Sequence, residues 1–366
     1  MAHRVTQQST TSLLIRCIYA SFSVLSYEEK ANHTKFPAFI FALHAVIPIF
    51  VDRMDKQLHF APLQGYTDFE YRRIHARHCG GVDSYYTPFI RWEKGGVRDK
   101  DIKDILPENN EGLHLIPQII CADTDEFNRL ADVIQEHGYG EMDLNMGCPA
   151  PMQTKLMRGS GILPHPMRVA ALLKEMERRP EVGFSIKMRL GLENTDEWKE
   201  LADMLNSSCL KHLTLHPRVG KQMYKGNVHM DAFQEAYNAI NIPLVYNGDL
   251  ATPNDICTLS KKFPKLHGIM IGRGLLARPT LAIESVQGHE MSAQERISIL
   301  NVMHEDMLDF CTKKYKVDSQ ILLHIHAFWE YQESQLERKT WKKIMKAGNM
   351  KNYLEAIRKI SFSDLT

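Results

Sequence analysis

The sequence lacks every cysteine pattern that would mark a zinc site or a disulfide framework. Its seven cysteines include no Cys-x-x-Cys pair and show no regular spacing. Structural zinc sites and the disulfide scaffolds of small secreted proteins both need such spacing, so these two classes are excluded. Scattered single cysteines suit a reducing compartment, and we therefore expect a cytoplasmic protein without a bound metal.

An excess of charge of one sign and long apolar stretches are also missing. The chain has 45 basic and 44 acidic residues, which leaves a formal net charge of +1 over 366 residues. Any surface that binds nucleic acid must therefore be a local basic patch. No apolar run of about 18 residues is free of charged or strongly polar side chains, so we expect no membrane span.

The first 53 residues differ in character from the rest of the chain. Residues 36–51 are apolar apart from His44, and two prolines interrupt them. A secretory signal would end at a cleavage site of small residues, whereas the small residues at 20–23 precede Glu28 and this second apolar stretch. We expect residues 1–53 to be an extension that is disordered or not translated, with Met54 as a candidate start.

From residue 58 onward, short apolar segments alternate with amphipathic ones. Segments with the apolar character of strands covered on both faces occur at 58–63, 84–89, 113–120, 141–145, 183–188, 212–215, 243–246 and 268–271. Helical spacing occurs at 123–137, 166–177, 195–205, 231–240 and 252–262. This alternation predicts an α/β fold, a (β/α)8 TIM barrel over residues 54–284. An open doubly wound sheet is the alternative, but the glycine-rich turn that it usually carries after its first strand is missing.

The pattern becomes purely helical after about residue 284. Helices are predicted at 292–311, 318–331, 338–346 and 350–360, so we expect residues 285–366 to form a C-terminal all-α domain. Eight basic residues and one acid lie between residues 338 and 359, together with Trp341 and Tyr353. Basic side chains attract a phosphate backbone, so this segment is a candidate RNA-binding surface. A solvated helix face is the alternative.

Cys148 is the candidate reactive thiol. It follows the fourth predicted strand in the sequence Asn145-Met146-Gly147-Cys148-Pro149. Lone cysteines are usually buried packing residues, and we keep that interpretation for the other six. The active sites of these barrels lie at the carboxyl ends of the strands, so the position of Cys148 beside a glycine turn favours a functional role.

Further polar residues occur at the ends of other predicted strands. Gln118 lies within the third strand, Lys187 ends the fifth and His216 follows the sixth, where a buried polar group needs a partner. Glycine turns follow the seventh and eighth strands at Asn247-Gly248-Asp249 and Gly272-Arg273-Gly274. Such turns bind phosphate in barrels. Together they indicate a phosphorylated aromatic cofactor at the barrel mouth.

Taken together, these segments resemble the dihydrouridine synthase family over residues 58–279. The likeness rests on Ala61-Pro62-Leu63-Gln64-Gly65-Tyr66-Thr67-Asp68, on Asp143-Leu144 with the Cys148 motif, on Gly159-Ser160-Gly161, on Lys187-Met188-Arg189, on Gln222-Met223-Tyr224-Lys225-Gly226 and on the two glycine turns. It implies an FMN enzyme that reduces uridine in tRNA to 5,6-dihydrouridine, with NADPH as electron donor. The helical tail looks closest to the short-tailed bacterial branch.

The resemblance also implies roles for individual residues. Hydride would pass from flavin N5 to uracil C6, and Cys148 would protonate C5; a thiol with a pKa of about 8.5 is mostly protonated at neutral pH and can donate. The implied FMN contacts are Pro62, Leu63, Gln64, Gln118, Lys187, His216, Asn247, Gly248, Asp249, Gly272 and Arg273. The expected RNA contacts are Asn145, Arg91, Lys94, Arg98, Lys342 and Lys343.

Two positions depart from the usual pattern of the family. Val219 ends the run His216-Pro217-Arg218-Val219, where threonine is common, and Pro164 occupies a position that is usually apolar. Two alternative functions remain open: an FMN barrel enzyme that acts on a small molecule of the dihydroorotate type, and an RNA-binding protein on a decayed barrel. The low net charge and the single tail lead us to expect a monomer.

Overall fold

Nine short parallel strands form one sheet that curves into a barrel, with spatial order β3-β2-β1-β9-β8-β7-β6-β5-β4. The computed structural model describes residues 56–360, so the predicted extension at residues 1–53 and Met54 lie outside the described residues. The strands are β1 Gln57–Phe60, β2 Ser84–Tyr86, β3 Leu115–Ile116, β4 Gln118–Ile119, β5 Glu141–Met146, β6 Gly183–Gly191, β7 His212–Val219, β8 Leu244–Asn247 and β9 Gly268–Ile271.

The two ends of this sheet meet at Pro117. β3 pairs with β2, and β4 pairs with β5, so both belong to the single strand predicted at 113–120. Proline has no N–H to donate, which breaks the ladder at this residue. The Pro117 carbonyl still accepts from the Asp143 N–H at 2.9 Å, and Thr87 Oγ1 accepts from the Gln118 N–H at 2.9 Å. The sheet therefore has eight strand positions, which confirms the predicted TIM barrel.

Helices cover the outside of the barrel because the strands bury side chains on both faces. They are α1 Phe69–His78, α2 Asp99–Ile105, α3 Thr124–Glu136, α4 Pro151–Thr154, α5 Pro166–Glu177, α6 Ala202–Asn206, α7 Met230–Ala239, α8 Pro253–Lys262, α9 Arg273–Ala277 and α10 Leu281–Gln287. The helix predicted at 195–205 begins as a 3₁₀ segment, Glu197–Leu201, before α6. α1 and α2 were not among the predicted helices; Asp68 caps α1 by accepting from the Tyr71 N–H.

The described part of the C-terminal tail contains four α-helices: α11 Ala293–Lys314, α12 Asp318–Trp329, α13 Arg338–Met345 and α14 Met350–Ile357. The tail packs on α1 of the barrel, where Lys314 Nζ lies 2.9 Å from Glu70 Oε1 and Arg77 Nη1 lies 2.7 Å from Asp306 Oδ2. The described parts of barrel and tail belong to one compact unit. Within residues 56–360, no helix is long and apolar enough to cross a membrane.

The aromatic residues of the basic segment face the interior of the tail. Tyr353 is fully buried, and its hydroxyl accepts from Trp329 Nε1 at 2.8 Å. Trp341 Nε1 donates to the Trp329 carbonyl at 2.8 Å. Aromatic residues interleaved with lysines were part of the pattern that predicted an RNA-binding surface, and in the structure these two aromatic side chains hold the tail helices together.

Candidate active site

A cavity of about 400 Å³ opens at the carboxyl ends of the strands. It brings together ten of the predicted site residues: Pro62, Leu63, Cys148, Lys187, His216, Asn247, Gly248, Asp249, Gly272 and Arg273. Parallel strands end at the same face of a barrel, which is why residues from distant segments meet here. Gln64 and Gln118 do not line the cavity; Gln64 is exposed and Gln118 is fully buried.

The backbone around Cys148 is held from both sides. Asn145 Oδ1 accepts from the Gly147 N–H at 3.0 Å and from the Cys148 N–H at 2.8 Å. The Cys148 carbonyl accepts from the Ser160 N–H at 3.0 Å and from Ser160 Oγ at 3.1 Å. A Cβ on Gly159 would lie 2.8 Å from the Cys148 Cβ, so only glycine fits there. The thiol is therefore carried on a fixed backbone at the end of β5.

A hydrogen-bonded network supports this turn from the barrel interior. Asn145 Nδ2 donates to Gln118 Oε1 at 2.8 Å, and Gln118 Nε2 donates to Asp143 Oδ2 at 2.7 Å. Ser185 Oγ donates to the other oxygen of Asp143 at 2.6 Å. Burial raises the pKa of Asp143 to about 6. Gln118 and Asn145, predicted as ligand contacts, thus lie behind the cavity wall and position Cys148.

The Cys148 thiol is kept in its protonated form. Burial raises its pKa, and the Ala150 N–H, Arg189, Lys187 and Arg91 oppose that shift only in part. A group with a raised pKa holds its proton throughout the neutral range. Cys148 can therefore donate a proton into the cavity.

Lys187 places a basic side chain in the wall of the cavity. Burial and the neighbouring Arg189 lower its pKa to about 8, while Asp143 acts in the opposite direction. With a pKa of about 8 the ammonium group is still mostly charged at pH 7. Lys187 lines the same cavity as Cys148.

His216 is neutral, and its hydrogen bond with Arg218 indicates which ring nitrogen carries the proton. Arg218 Nη1 lies 3.1 Å from His216 Nε2, and a guanidinium group can only donate, so Nε2 accepts and Nδ1 carries the proton. Burial and the cations Lys187, Arg189 and Arg218 hold the pKa of His216 well below its usual value. His216 therefore lines the cavity as a neutral imidazole whose tautomer Arg218 determines.

The two glycine turns form one wall of the cavity. A Cβ on Gly274 would lie 2.0 Å from the Leu250 carbonyl oxygen, and a Cβ on Gly248 would lie 2.2 Å from the Tyr246 hydroxyl. Neither position admits a side chain, so the backbone of these turns stays open to the cavity. Arg273 adds positive charge here, and its Nη2 lies 2.6 Å from Asp249 Oδ1. Open backbone beside a cation suits a phosphate group.

Three cavity residues with charged or aromatic side chains, Arg189, Tyr224 and Tyr331, were missed as site candidates. The Tyr224 ring lies between the guanidinium groups of Arg189 and Arg273, which are 5.3 and 5.2 Å from its centroid. Arg189 and Tyr224 belong to the segments that carried the family likeness, so sequence could have identified them. Tyr331 comes from the tail and packs edge-on against Tyr66 at 5.1 Å. No local pattern marks Tyr331, because only the docking of the tail brings it to the barrel mouth.

The three basic residues expected near the barrel mouth differ in whether an acidic side chain already binds them. Arg98 binds both carboxylate oxygens of Asp101 at 2.8 Å, and Arg91 lies 2.7 Å from Glu93. Lys94 is exposed and has a positive φ of 50°. Of these three residues, only Lys94 points its charge toward solvent without an acidic partner among the described ion pairs.

In the tail, Lys342 and Lys343 line a groove of about 430 Å³ between α13 and α14. Lys339, Lys346 and Lys359 line it as well. Crowding by Lys359 lowers the pKa of Lys343, which shows that like charges are concentrated here. Such a groove attracts a polyanion.

The family model and the curated relatives that match this chain carry the same family name. The family model for dihydrouridine synthase (Dus) matches residues 59–363. The tRNA-dihydrouridine synthase B of Pasteurella multocida is 27% identical over 230 residues, 63% of this chain and 68% of that protein. The probable tRNA-dihydrouridine synthase 2 of Bacillus subtilis is 28% identical over 261 residues, 69% of this chain and 78% of that protein. Among solved structures, morphinone reductase in complex with tetrahydroNAD aligns with a TM-score of 0.42 at 10% identity, over 64% of this chain and 88% of that chain.

Proposed function

Because the chain belongs to the dihydrouridine synthase family, we propose that it reduces uridine in tRNA to 5,6-dihydrouridine, with FMN as bound cofactor and NADPH as electron donor. The observation that carries this proposal is the cavity itself. One protonated thiol, one lysine and two glycine turns face the same space of about 400 Å³. Relatives from Pasteurella multocida and Bacillus subtilis that carry the name tRNA-dihydrouridine synthase support the choice of tRNA.

The residues of the cavity fit FMN. Arg273 and the open backbone at Gly248 and Gly274 suit the phosphate. Pro62 and Leu63 offer an apolar wall to an aromatic ring, and Lys187 supplies a positive charge for a ring that becomes negative on reduction. When bound, FMN supplies the hydride that adds to uracil C6.

Cys148 completes the addition across the uracil double bond. Hydride addition at C6 leaves the electron pair of the double bond at C5, and a proton must be delivered there to give the neutral product. The Cys148 thiol holds that proton, since its pKa is raised. Asn145 fixes the position from which the proton is given, because it binds the Cys148 N–H at 2.8 Å. After transfer the thiolate regains a proton from solvent.

A uridine in folded RNA reaches this cavity only if its base leaves the stack. The tail groove with Lys342 and Lys343 is suited to hold the phosphate backbone while the base enters. Lys94, at the barrel mouth, is a further candidate phosphate contact. We infer that Arg98 contributes mainly to the local fold, because Asp101 already occupies its guanidinium group.

Mapping of dihydrouridine in RNA from cells with and without the gene tests this proposal. We expect one or more tRNA uridines to lose the modification when the gene is deleted and to regain it when the gene is restored. The purified protein should also bind FMN and show the yellow flavin absorbance. Persistence of every dihydrouridine in cells that have no other synthase would refute the tRNA activity, and a protein that cannot be loaded with FMN would refute the flavin chemistry.

A further inference from the structure

Large apolar side chains are exposed in two loops that each carry a residue lining the cavity, Cys148 and Tyr224. Met152 is 76% exposed and Leu156 is 53% exposed, in the loop that follows Cys148. Met223 and Tyr224 are 38% and 49% exposed, in the loop that follows β7. We call these four side chains the apolar rim. Exposed apolar side chains gathered in one place mark a surface that contacts a partner.

The first loop is held rigidly although its apolar side chains point outward. Gln153 is 4% exposed, so the loop is anchored from within. At its end, Arg158 Nε donates to Glu126 Oε2 at 3.0 Å. Met152 lies within α4, and Leu156 lies two residues beyond the end of that helix. Gln153 and Arg158 thus anchor the loop while both apolar side chains remain exposed.

The second loop lies against the first and is strained. A Cβ on Gly220 would lie 2.5 Å from Ser160 Oγ, so the two loops are in contact. Met157 and Met223 both have a φ of 55°, which non-glycine residues rarely adopt. Arg189 Nη1 holds Met223 in place by donating to its carbonyl at 2.6 Å. Strain of this kind is maintained at sites of function.

The charge of both loops favours a polyanionic partner. Neither residues 149–158 nor residues 220–226 contain Asp or Glu. Lys155 and Lys225 are exposed beside the apolar side chains. A surface that combines apolar side chains with unopposed positive charge suits nucleobases joined by phosphates.

We propose that the apolar rim contacts the nucleobases that flank the target uridine, and that Met152 and Leu156 occupy the place the uridine leaves in the stack. This inference rests on the proposed function and specifies how the substrate is opened. Removal of a base from its stack is costly, and apolar side chains inserted at the step offset that cost. The loop that carries Met152 begins directly after Cys148, so the same segment would open the stack and deliver the proton.

The test compares two substrates. The double variant Met152→Ala/Leu156→Ala is assayed for dihydrouridine formation on tRNA purified from cells that lack the gene, and on a short unstructured oligoribonucleotide that contains uridine. Apolar side chains inserted at a base step offset part of the cost of unstacking, so we expect kcat/KM to fall about tenfold on tRNA when both are removed. On the oligonucleotide, whose uridine is already unstacked, we expect a change below about twofold.

Two control variants make the outcome decisive. Leu323→Ala removes a leucine that is 70% exposed on α12 and should leave both rates unchanged. Met152→Leu keeps an apolar side chain and should retain activity on tRNA. Equal losses on both substrates, no loss on either, or an equal loss in Leu323→Ala would each overturn the inference. If the unaltered enzyme forms no dihydrouridine on any RNA, the proposed function itself has failed.

Discussion

Asn145 holds the backbone that carries Cys148, so its replacement should lower both the stability and the activity of the protein. Asn145→Ala removes two hydrogen bonds to the backbone of Gly147 and Cys148 and one to Gln118. Each of these is worth about 1 kcal/mol, so we expect the free energy of unfolding to fall by about 3 kcal/mol. For a chain of this size that corresponds to a Tm lower by about 5 °C.

The effect on turnover should exceed the effect on stability. Without Asn145 the turn that carries Cys148 loses its fixed position, and displacement of an acid by about 1 Å costs about 100-fold in rate. FMN binding should be retained, because Asn145 is 8% exposed and does not line the cavity. The variant is therefore expected to be flavin-loaded, less stable by about 3 kcal/mol and nearly inactive on RNA.

Single-turnover formation of dihydrouridine by the pre-reduced enzyme measures this step directly, and thermal unfolding measures stability. Asn128→Ala is the matched control. Asn128 lies on the outer helix α3, donates to Glu175 at 3.1 Å and accepts from Arg179 at 3.1 Å. Its replacement removes two hydrogen bonds, which should cost about 2 kcal/mol and leave the rate unchanged.

Two results would contradict this prediction. If Asn145→Ala is destabilised as expected but reduces uridine at the wild-type single-turnover rate, the position of Cys148 does not depend on the network beneath it. If Asn128→Ala loses as much activity as Asn145→Ala, the loss reflects stability and not the placement of the thiol.

Three further predictions concern the cavity and the tail. Cys148→Ala should keep FMN and still oxidise NADPH but lose most uridine reduction; a wild-type rate would show that Cys148 is not the acid. In the protein without flavin, Lys187 has a pKa of about 8 and loses its positive charge above that pH, so the affinity for FMN should weaken as the pH rises through 8. The Lys187→Met variant should bind FMN more weakly, and its affinity should not show this pH dependence. The double variant Lys342→Glu/Lys343→Glu should raise KM for tRNA and leave kcat unchanged. The slope of log affinity against log salt concentration should become smaller by about 1 for each lost phosphate contact, and an unchanged slope would argue against RNA binding in the groove.

Local sequence patterns are sufficient to predict the barrel and the face at which its reactive residues lie. Parallel strands covered on both faces must be continuously apolar, so the segments at 58–63 and 268–271 are recognisable without any tertiary information. Glycine turns such as Gly272-Arg273-Gly274 and the motif around Cys148 are equally local. Residues at strand ends then converge because the fold brings all carboxyl ends to one face.

Which polar residues reach the cavity depends on packing between segments that are distant in the chain. Gln118 and Asn145 have the composition of ligand contacts, but their depth in the barrel places them in a network with Asp143 and Ser185. Their direction depends on neighbours from other strands, which no local pattern encodes.

The docking of the tail is the second property that required tertiary structure. Tyr331 reaches the cavity, whereas Trp341 and Tyr353 turn into the tail core, and all three are aromatic residues in helical or turn segments. Periodicity predicts that these segments are helical. It does not determine which face meets the barrel, because that depends on the fit between side chains far apart in the chain.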